Sequence, residues 1–520
     1  MIRRHFLIAH IALALLAARA HAVEVGRYKT IELVFEADCS PANPFDTYLL
    51  KVAVTDPKGK TVTVEGFYDG DGSGGQEGRI WKVRLCPSMI GEWSWRTVPG
   101  DAADEGLQGL KGTFTCVESG DRGGVVADRK HFRFQSGDAM YLVGNFLDIF
   151  DSPRTNTTHI FMSDRITDAD RERLMKRQRD FHTVNKANIY FANRGDYRGH
   201  SVTPWVGTSG KEDLTQMDLA RWKRFDGYIG AFKDNGILAE LWFFADDSNF
   251  GRLADADQDR LLRYAMARTS AFSHTLYVIA LEWAEGFKKN RVSAMGGCLQ
   301  AHNPWGRLLS VHNQADWQFA QDDWPGFIAT QSGFGGKPSV VNALAVRMRK
   351  QKLPHIDEEF GVLRGGSDAG LRSRLWACFC GGAAGSGTGS DLRAFQRFLA
   401  QSKVPFQRMA PANQLVADGG TSRFCLAEPG HHYVAYSSGG AFALEVQGTD
   451  LKGCWFNPRD SNASLGQPFA VAAGKGSFTP PESPPSDWVL WITDGSNLNR
   501  GVAHPSTGAT ITREIIKRTR

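Results

Sequence analysis

The chain has 520 residues, of which 42 % are hydrophobic, 11 % aromatic and 22 % charged, with 14 Trp and 32 Phe. That length exceeds one ordinary domain, and that aromatic content excludes a disordered chain. The formal charge of +5 gathers at the two ends of the chain, which removes the basic body that nucleic-acid binding requires.

Residues 1–22, MIRRHFLIAHIALALLAARAHA, join two Arg, a short apolar core and a small-x-small ending at Ala20-His21-Ala22. This reads as a secretory signal cleaved after Ala22. The run from Phe6 to Ala18 is too short to span a bilayer, and no later stretch resembles a membrane span. The mature protein is expected to be soluble, without membrane insertion, and secreted or periplasmic. Losing Arg3, Arg4 and Arg19 lowers the charge from +5 to +2, and the tail REIIKRTR (513–520) adds four bases against one acid, so the body is near −1.

From 23 to 123, short alternating strands such as TIELVFEA, TYLLKVAVT, RIWKVRLC and GEWSWRTV follow one another with no helix between them. An immunoglobulin-like β-sandwich is expected. The stretch DGDGSGG (69–75) opens like a calcium loop, but the twelfth position holds Ile80 in place of the bidentate acid. It reads as a glycine-rich turn. From 124 to 408 strands alternate with helices. The stretch LTQMDLARWKRFDGYIGAFKDNG puts Met217, Trp222, Phe225, Ile229 and Phe232 on one helical face and stops at Asn235-Gly236. Eight strands are predicted near 140–145, 184–191, 237–244, 276–281, 307–312, 326–331, 354–358 and 380–385, with helices including 167–180, 256–272, 341–352 and 391–402. Eight such units fit a (β/α)8 TIM barrel. From 409 to 494 the chain returns to β structure, giving a second, smaller sandwich, and 495–520 reads as a loose basic tail. The fold class is thus multidomain α/β plus all-β, a central barrel flanked by two sandwiches.

All eight Cys follow the signal, and an exported chain permits disulfides. Cys86 with Cys116 and Cys425 with Cys454 each fall within one expected sandwich and are the preferred pairs. No spacing suggests zinc, so no metal is assigned.

The stretch LPHIDEEFG (353–361) closes an apolar strand with three acids, Asp357, Glu358 and Glu359. Buried carboxylates need partners, and the C-terminal ends of barrel strands carry the active site. The fourth strand ends likewise: LYVIALEWAEGF (276–287) offers Glu282 and Glu285 around Trp283. One carboxyl from the fourth strand and one from the seventh are what retaining glycoside hydrolysis uses, one as acid/base and one as nucleophile. Asn145, Asn193, Asp246, His312 and Gln331 sit at or past other strand ends and are candidates for sugar hydroxyls. Trp242, Trp283 and Trp324 are candidates for stacking on sugar faces, with core packing as the competing role.

PHIDEEFG resembles the seventh-strand nucleophile motif of the clan of retaining glycosidases built on (β/α)8 barrels. FEADCSPANPFDTYLLKVAVTDPKGKTVTVEGFYDGDG, with GEWSWRTV and GTFTCV, resembles the N-terminal sandwich of bacterial glycoside hydrolases that carry a domain of unknown function. HHYVAYSSGGAFALEV, CWFNPRDS and DWVLWI are similar to the C-terminal sandwich of the apiosidase-like group. The resemblance implies Glu359 as nucleophile and Glu285 as acid/base, with Glu282 as the rival. Clan members commonly carry Asn before the acid/base, where this chain has Ala284.

An exported retaining glycosidase is therefore expected, acting on a polysaccharide or its oligosaccharides with two Glu and no cofactor. Its partner is a carbohydrate and not a nucleic acid, and the sequence leaves the oligomeric state open. A carbohydrate-binding protein on a degenerate barrel is the competing class, and a polysaccharide lyase ranks behind it. The loops 145–165, 193–213 and 284–306 should shape the pocket.

Overall fold

A computed structural model describes residues 23–145, 169, 172, 175, 183–190, 203–208, 210–245, 250–333, 337–359, 368–387, 392–482, 486–496 and 502–516. At its centre, nine parallel strands form one sheet that nearly closes into a barrel. They are β1 (Leu142–Asn145), β2 (Val184–Tyr190), β3 (Leu238–Phe244), β4 (Thr275–Ala280), β5 (Leu309–Ser310), β6 (His312–Asn313), β7 (Ile328–Gln331), β8 (His355–Glu359) and β9 (Gly385–Gly387). β5 pairs only with β4 and β6 only with β7, and Val311 alone separates them. They are the two halves of the expected fifth strand, and together they bridge the ends of the sheet. β8 is the expected seventh strand.

Among the described residues six helices accompany the strands: α1 (Leu219–Asp234), α2 (Asp255–Thr269), α3 (Lys289–Ala301), α4 (Pro338–Met348), α5 (Asp368–Cys380) and α6 (Arg393–Ser402); most of the expected helix 167–180 lies outside them. α1 follows its predicted periodicity from Leu219 on, whereas Met217, read on the same helical face, ends the β-strand Lys211–Met217. The Asp218 carboxylate accepts from the Arg221 N–H at 3.0 Å, satisfying a donor of the first turn. Trp222, Phe225, Ile229 and Phe232 are buried, and Gly236 leaves the helix at φ +66°. The eighth strand differs from expectation. The stretch read as strand 380–385 begins inside α5, and the strand itself is Gly385–Gly387. α5 buries Leu371 and every residue from Leu375 to Cys380, so it lacks the one-sided apolar stripe that marks a helix in sequence.

The N-terminal segment supplies a five-stranded sheet and three strands of a four-stranded sheet, whose inward residues share one apolar core. That core continues into α1 and α2, so the segment is fused to the barrel wall. Arg84 bonds Glu32 at 2.8 Å and Asp226 at 2.7 Å, and Arg268 bonds Asp69 at 2.7 Å, across the seam. Residues 511–515, read from sequence as part of a loose tail, form a strand parallel to Thr30–Glu36 at the edge of the four-stranded sheet. The glycine-rich turn packs tightly. Gly70 has φ +55°, and a Cβ there would lie 1.9 Å from the Gly75 carbonyl oxygen.

After α6, a six-stranded and a two-stranded antiparallel sheet share a second apolar core. Their order overturns one expected disulfide. Cys425 lies on Arg423–Glu428 and Cys454 on Leu451–Phe456, with two strands between them. At about 4.8 Å per strand they stand too far apart for an S–S bond. Cys86 and Cys116 are likewise free thiols, as are the other Cys. Among the described residues no helix is long and apolar enough to cross a membrane.

Candidate active site

The mouth of the barrel is built where β4, β6, β7 and β8 end. After Ala280 the chain leaves β4 through buried Leu281 and reaches Glu282, which holds φ +44°, ψ +51°. A non-glycine residue in this left-handed conformation costs roughly 1–3 kcal/mol and persists where the surroundings hold it. Two contacts do so. The Glu282 N–H donates to His312 Nδ1 at 3.3 Å, and the Gln331 side-chain amide donates to Glu282 Oε1. A single 3₁₀ turn, Trp283–Glu285, follows.

Glu282 is half-buried, and burial followed by the nearby Glu285 carboxyl raises its pKa above the usual carboxylate range; the Gln331 amide offsets part of this. Glu285 is exposed on the outer side of the turn. Trp283 is buried, donates its indole N–H to Asn313 Oδ1 at 2.9 Å and meets Phe319 edge-on. It holds the turn to the barrel. Trp242 lies inside the barrel, while Trp324 packs where a Cβ on Gly296 of α3 would be, at 2.2 Å from its ring.

Gln331 ends β7 and pairs with Glu359 across a bulge between Thr330 and Gln331. The sequence candidates Glu282, His312, Gln331 and Glu359 are therefore brought to one rim. Glu359 is buried, and its carbonyl accepts from the Ser332 and Gly333 N–H groups at 3.1 and 3.2 Å. Asp357 and Glu358 separate as strand alternation requires, and Glu358 is the extra residue of the bulge, which interrupts the alternation before Glu359. Asp357 accepts from the Ser332 hydroxyl at 2.7 Å, and burial pushes its pKa up to about 7. Glu358 points into the barrel toward Glu240 and Lys186. Asn145 ends β1 and pairs in register with Asn185. Asn193 and Asp246 lie outside the described residues.

Sequence reasoning missed the charged floor beneath this rim. Lys186 of β2 and Glu240 of β3 are both buried inside the barrel. The available signal was the one used for β8: a charged residue in the middle of an otherwise apolar strand, here VNKANIY and LAELWFF. His312 is also wholly buried, with its ring against Trp242 at 5.4 Å between centroids, and burial holds it neutral. Among the described residues no group of three or more His, Cys, Asp or Glu could hold a metal ion.

A parallel barrel with carboxyls gathered at the C-terminal ends of its strands is the architecture of a large class of enzymes, and known proteins sharpen the comparison. The family described as a domain of unknown function, DUF5060, matches residues 24–99. The comparison with curated proteins found no match. Among solved structures, a "putative glycoside hydrolase" from Bacteroides vulgatus ATCC 8482 superposes with TM-score 0.72 at 18 % identity, covering 91 % of this chain and 99 % of its own. A glycoside hydrolase family 5 protein from the same strain gives TM-score 0.58 at 13 % identity, covering 75 % and 96 %. A structure described as a glycoside hydrolase gives 0.58 at 13 %, covering 72 % and 98 %. At these identities the likeness establishes the shared fold.

Proposed function

We propose that the protein is an exported glycoside hydrolase that cleaves O-glycosidic bonds of a polysaccharide or its oligosaccharides with retention of configuration. Its segments would be a sandwich at 23–123, the catalytic barrel at 124–408 and a second sandwich at 409–494, after removal of 1–22. Glu359 is assigned as nucleophile and Glu282 as acid/base. The observation that carries the assignment is the bridge made by Gln331, whose backbone pairs with Glu359 while its side chain holds Glu282.

The sequence favoured Glu285 over Glu282, and burial argues for the reverse. A general acid must be protonated near neutral pH, which calls for a carboxyl with a raised pKa. Half-burial at the rim shifts Glu282 in that direction. Glu285, three residues on, faces solvent and supplies the repulsion that favours the protonated form of Glu282. In the first step Glu282 would give its proton to the leaving oxygen as Glu359 attacks the anomeric carbon. In the second, Glu282 would take a proton from water as water displaces Glu359. Gln331, bonded to the Glu282 carboxyl and paired by its backbone with Glu359, would tie the two strand ends together.

The test is a screen of glycans for released reducing sugar, repeated with Glu282→Gln, Glu285→Gln and Glu359→Gln. Loss of about 10²–10⁴-fold in Glu282→Gln and of nearly all turnover in Glu359→Gln, with Glu285→Gln keeping most of it, supports the assignment. Full turnover in Glu359→Gln would overturn it.

A further inference from the structure

The inference rests on the reading of Glu282 as acid/base and concerns the charged floor beneath it. Lys186, Glu240 and Glu358 reach the barrel interior from β2, β3 and β8, each at 2–3 % exposure. The Trp242 indole N–H donates to Glu240 Oε2 at 3.0 Å, and Lys186 Nζ stands 3.4 Å from the centroid of the same indole. Glu358 Oε2 lies 3.8 Å from where a Cβ on Gly144 of β1 would sit, so its carboxyl occupies space that a larger residue on β1 would narrow. The Glu240 and Glu358 carboxyls stand within side-chain hydrogen-bonding reach of each other, and Oε1 of each acid has no other hydrogen-bond partner among the described residues. Two carboxyls in buried contact cannot both be ionised without a large Coulombic penalty, and one retained proton turns the repulsion into a hydrogen bond.

We propose that Glu240 and Glu358 share a single proton, and that this monoanion, balanced by Lys186, forms a charge-neutral floor that sets the proton affinity of Glu282. The pair carries one negative charge and Lys186 one positive. Removing either alone leaves the other uncompensated below the acid/base. Lys186, Glu240 and Glu358 are positioning residues acting through Glu282. The other charged or titratable neighbours are Asp357 on β8, which turns to Ser332, His312 on β6, which burial keeps neutral, and Glu285 in the turn. Burial raises the pKa of both Glu240 and Glu358, and Lys186 opposes that rise in each.

Two measurements on the full mature chain decide the matter. Infrared spectroscopy at neutral pH is read in the Asp357→Asn/Glu282→Gln background, which removes the other carboxyls with raised proton affinity; that background should show a protonated-carboxyl band that disappears when Glu240→Gln or Glu358→Gln is added, because the remaining acid ionises beside Lys186. A band that persists after both additions, or is missing from the background, overturns the shared proton. The pH profile of kcat/KM supplies the second readout. A unit charge about 10 Å away, at an effective dielectric near 20, moves a pKa by about one unit. Lys186→Met should therefore move the basic limb up by about one pH unit. The double variant Glu240→Gln/Glu358→Gln should move it down by a similar amount, and Glu240→Gln alone should leave it in place. Equal shifts in one direction, or none, contradict the floor's role, since a merely structural defect would lower activity without opposite displacements. If the wild type turns over no glycoside, the glycosidase reading fails while the infrared band still decides whether the proton is shared.

Discussion

Asp357 gives a stability prediction with a defined sign. It is wholly buried, accepts from the Ser332 hydroxyl at 2.7 Å and from the Ser332 N–H at 3.2 Å, and its pKa rises from 3.8 to about 7. The raised value means that the folded state keeps a proton which the unfolded chain has already lost between about pH 4 and pH 7. Stability contributed by this site is therefore intact below the unfolded pKa and declines as pH rises through that window. At about 1.4 kcal/mol per pH unit the full decline is about 4 kcal/mol, reached above pH 7. Asp357→Asn keeps the shape and can still accept from the Ser332 N–H, yet cannot ionise. Urea unfolding at pH 4.5, 6 and 8 should show the variant close to wild type at the lowest pH and more stable by up to about 4 kcal/mol at the highest. The same pH dependence in both proteins would refute the reasoning, because it would place the titration elsewhere.

Gln331→Ala should leave the fold intact, free Glu282 from its left-handed perch and lower kcat by about 10–100-fold, read from initial rates on the best glycan of the screen; unchanged kcat would remove Gln331 from the account. Arg268→Met takes from Asp69 and Asp226 one of the two bases each holds in the seam between the N-terminal sheets and α2, leaving Lys82 and Arg84, and should cost up to about 3 kcal/mol, seen as a lowered melting temperature. Truncation after residue 505 uncovers the edge strand Thr30–Glu36 and should raise aggregation in light scattering; a truncated chain as stable and soluble as the full one would argue against that pairing. Peptide mapping without reduction should find no Cys425–Cys454 link.

Local rules were enough where the signals agreed. α1 was legible because a one-sided apolar stripe and an Asn-Gly stop agree. β3 and β4 were legible as apolar runs bounded by turns. The rule failed at α5, whose burial from Leu375 to Cys380 erases the helical period. It failed at the fifth strand too, where the polar pair His312-Asn313 continues a strand beyond a break at Val311. The strand Ile511–Ile515 was hidden because its partner lies some 480 residues away in sequence, and a basic composition outweighed its alternation.

The site was half legible for a related reason. Acids that end apolar strands announce themselves, so Glu282, Glu285 and Glu359 could be named. The choice between Glu282 and Glu285 depends on where the chain turns after Ala280. The left-handed conformation of Glu282, after which Glu285 is exposed, has no signature in the residues Leu-Glu-Trp-Ala-Glu. Lys186 and Glu240 are register partners in the middle of the neighbouring strands β2 and β3, one over the Trp242 face and one at its indole N–H, and only closure of the sheet shows that they share a floor with Glu358.

The central claim is that a carboxylate at the end of β8 forms a covalent bond to the sugar. An activated 2-deoxy-2-fluoro glycoside of the sugar released in the screen should inactivate the enzyme, and mass spectrometry of the digested protein should find one sugar on Glu359. Inactivation should fail in Glu359→Gln. A label on any other residue, or turnover with inverted product configuration and no adduct, would contradict the account.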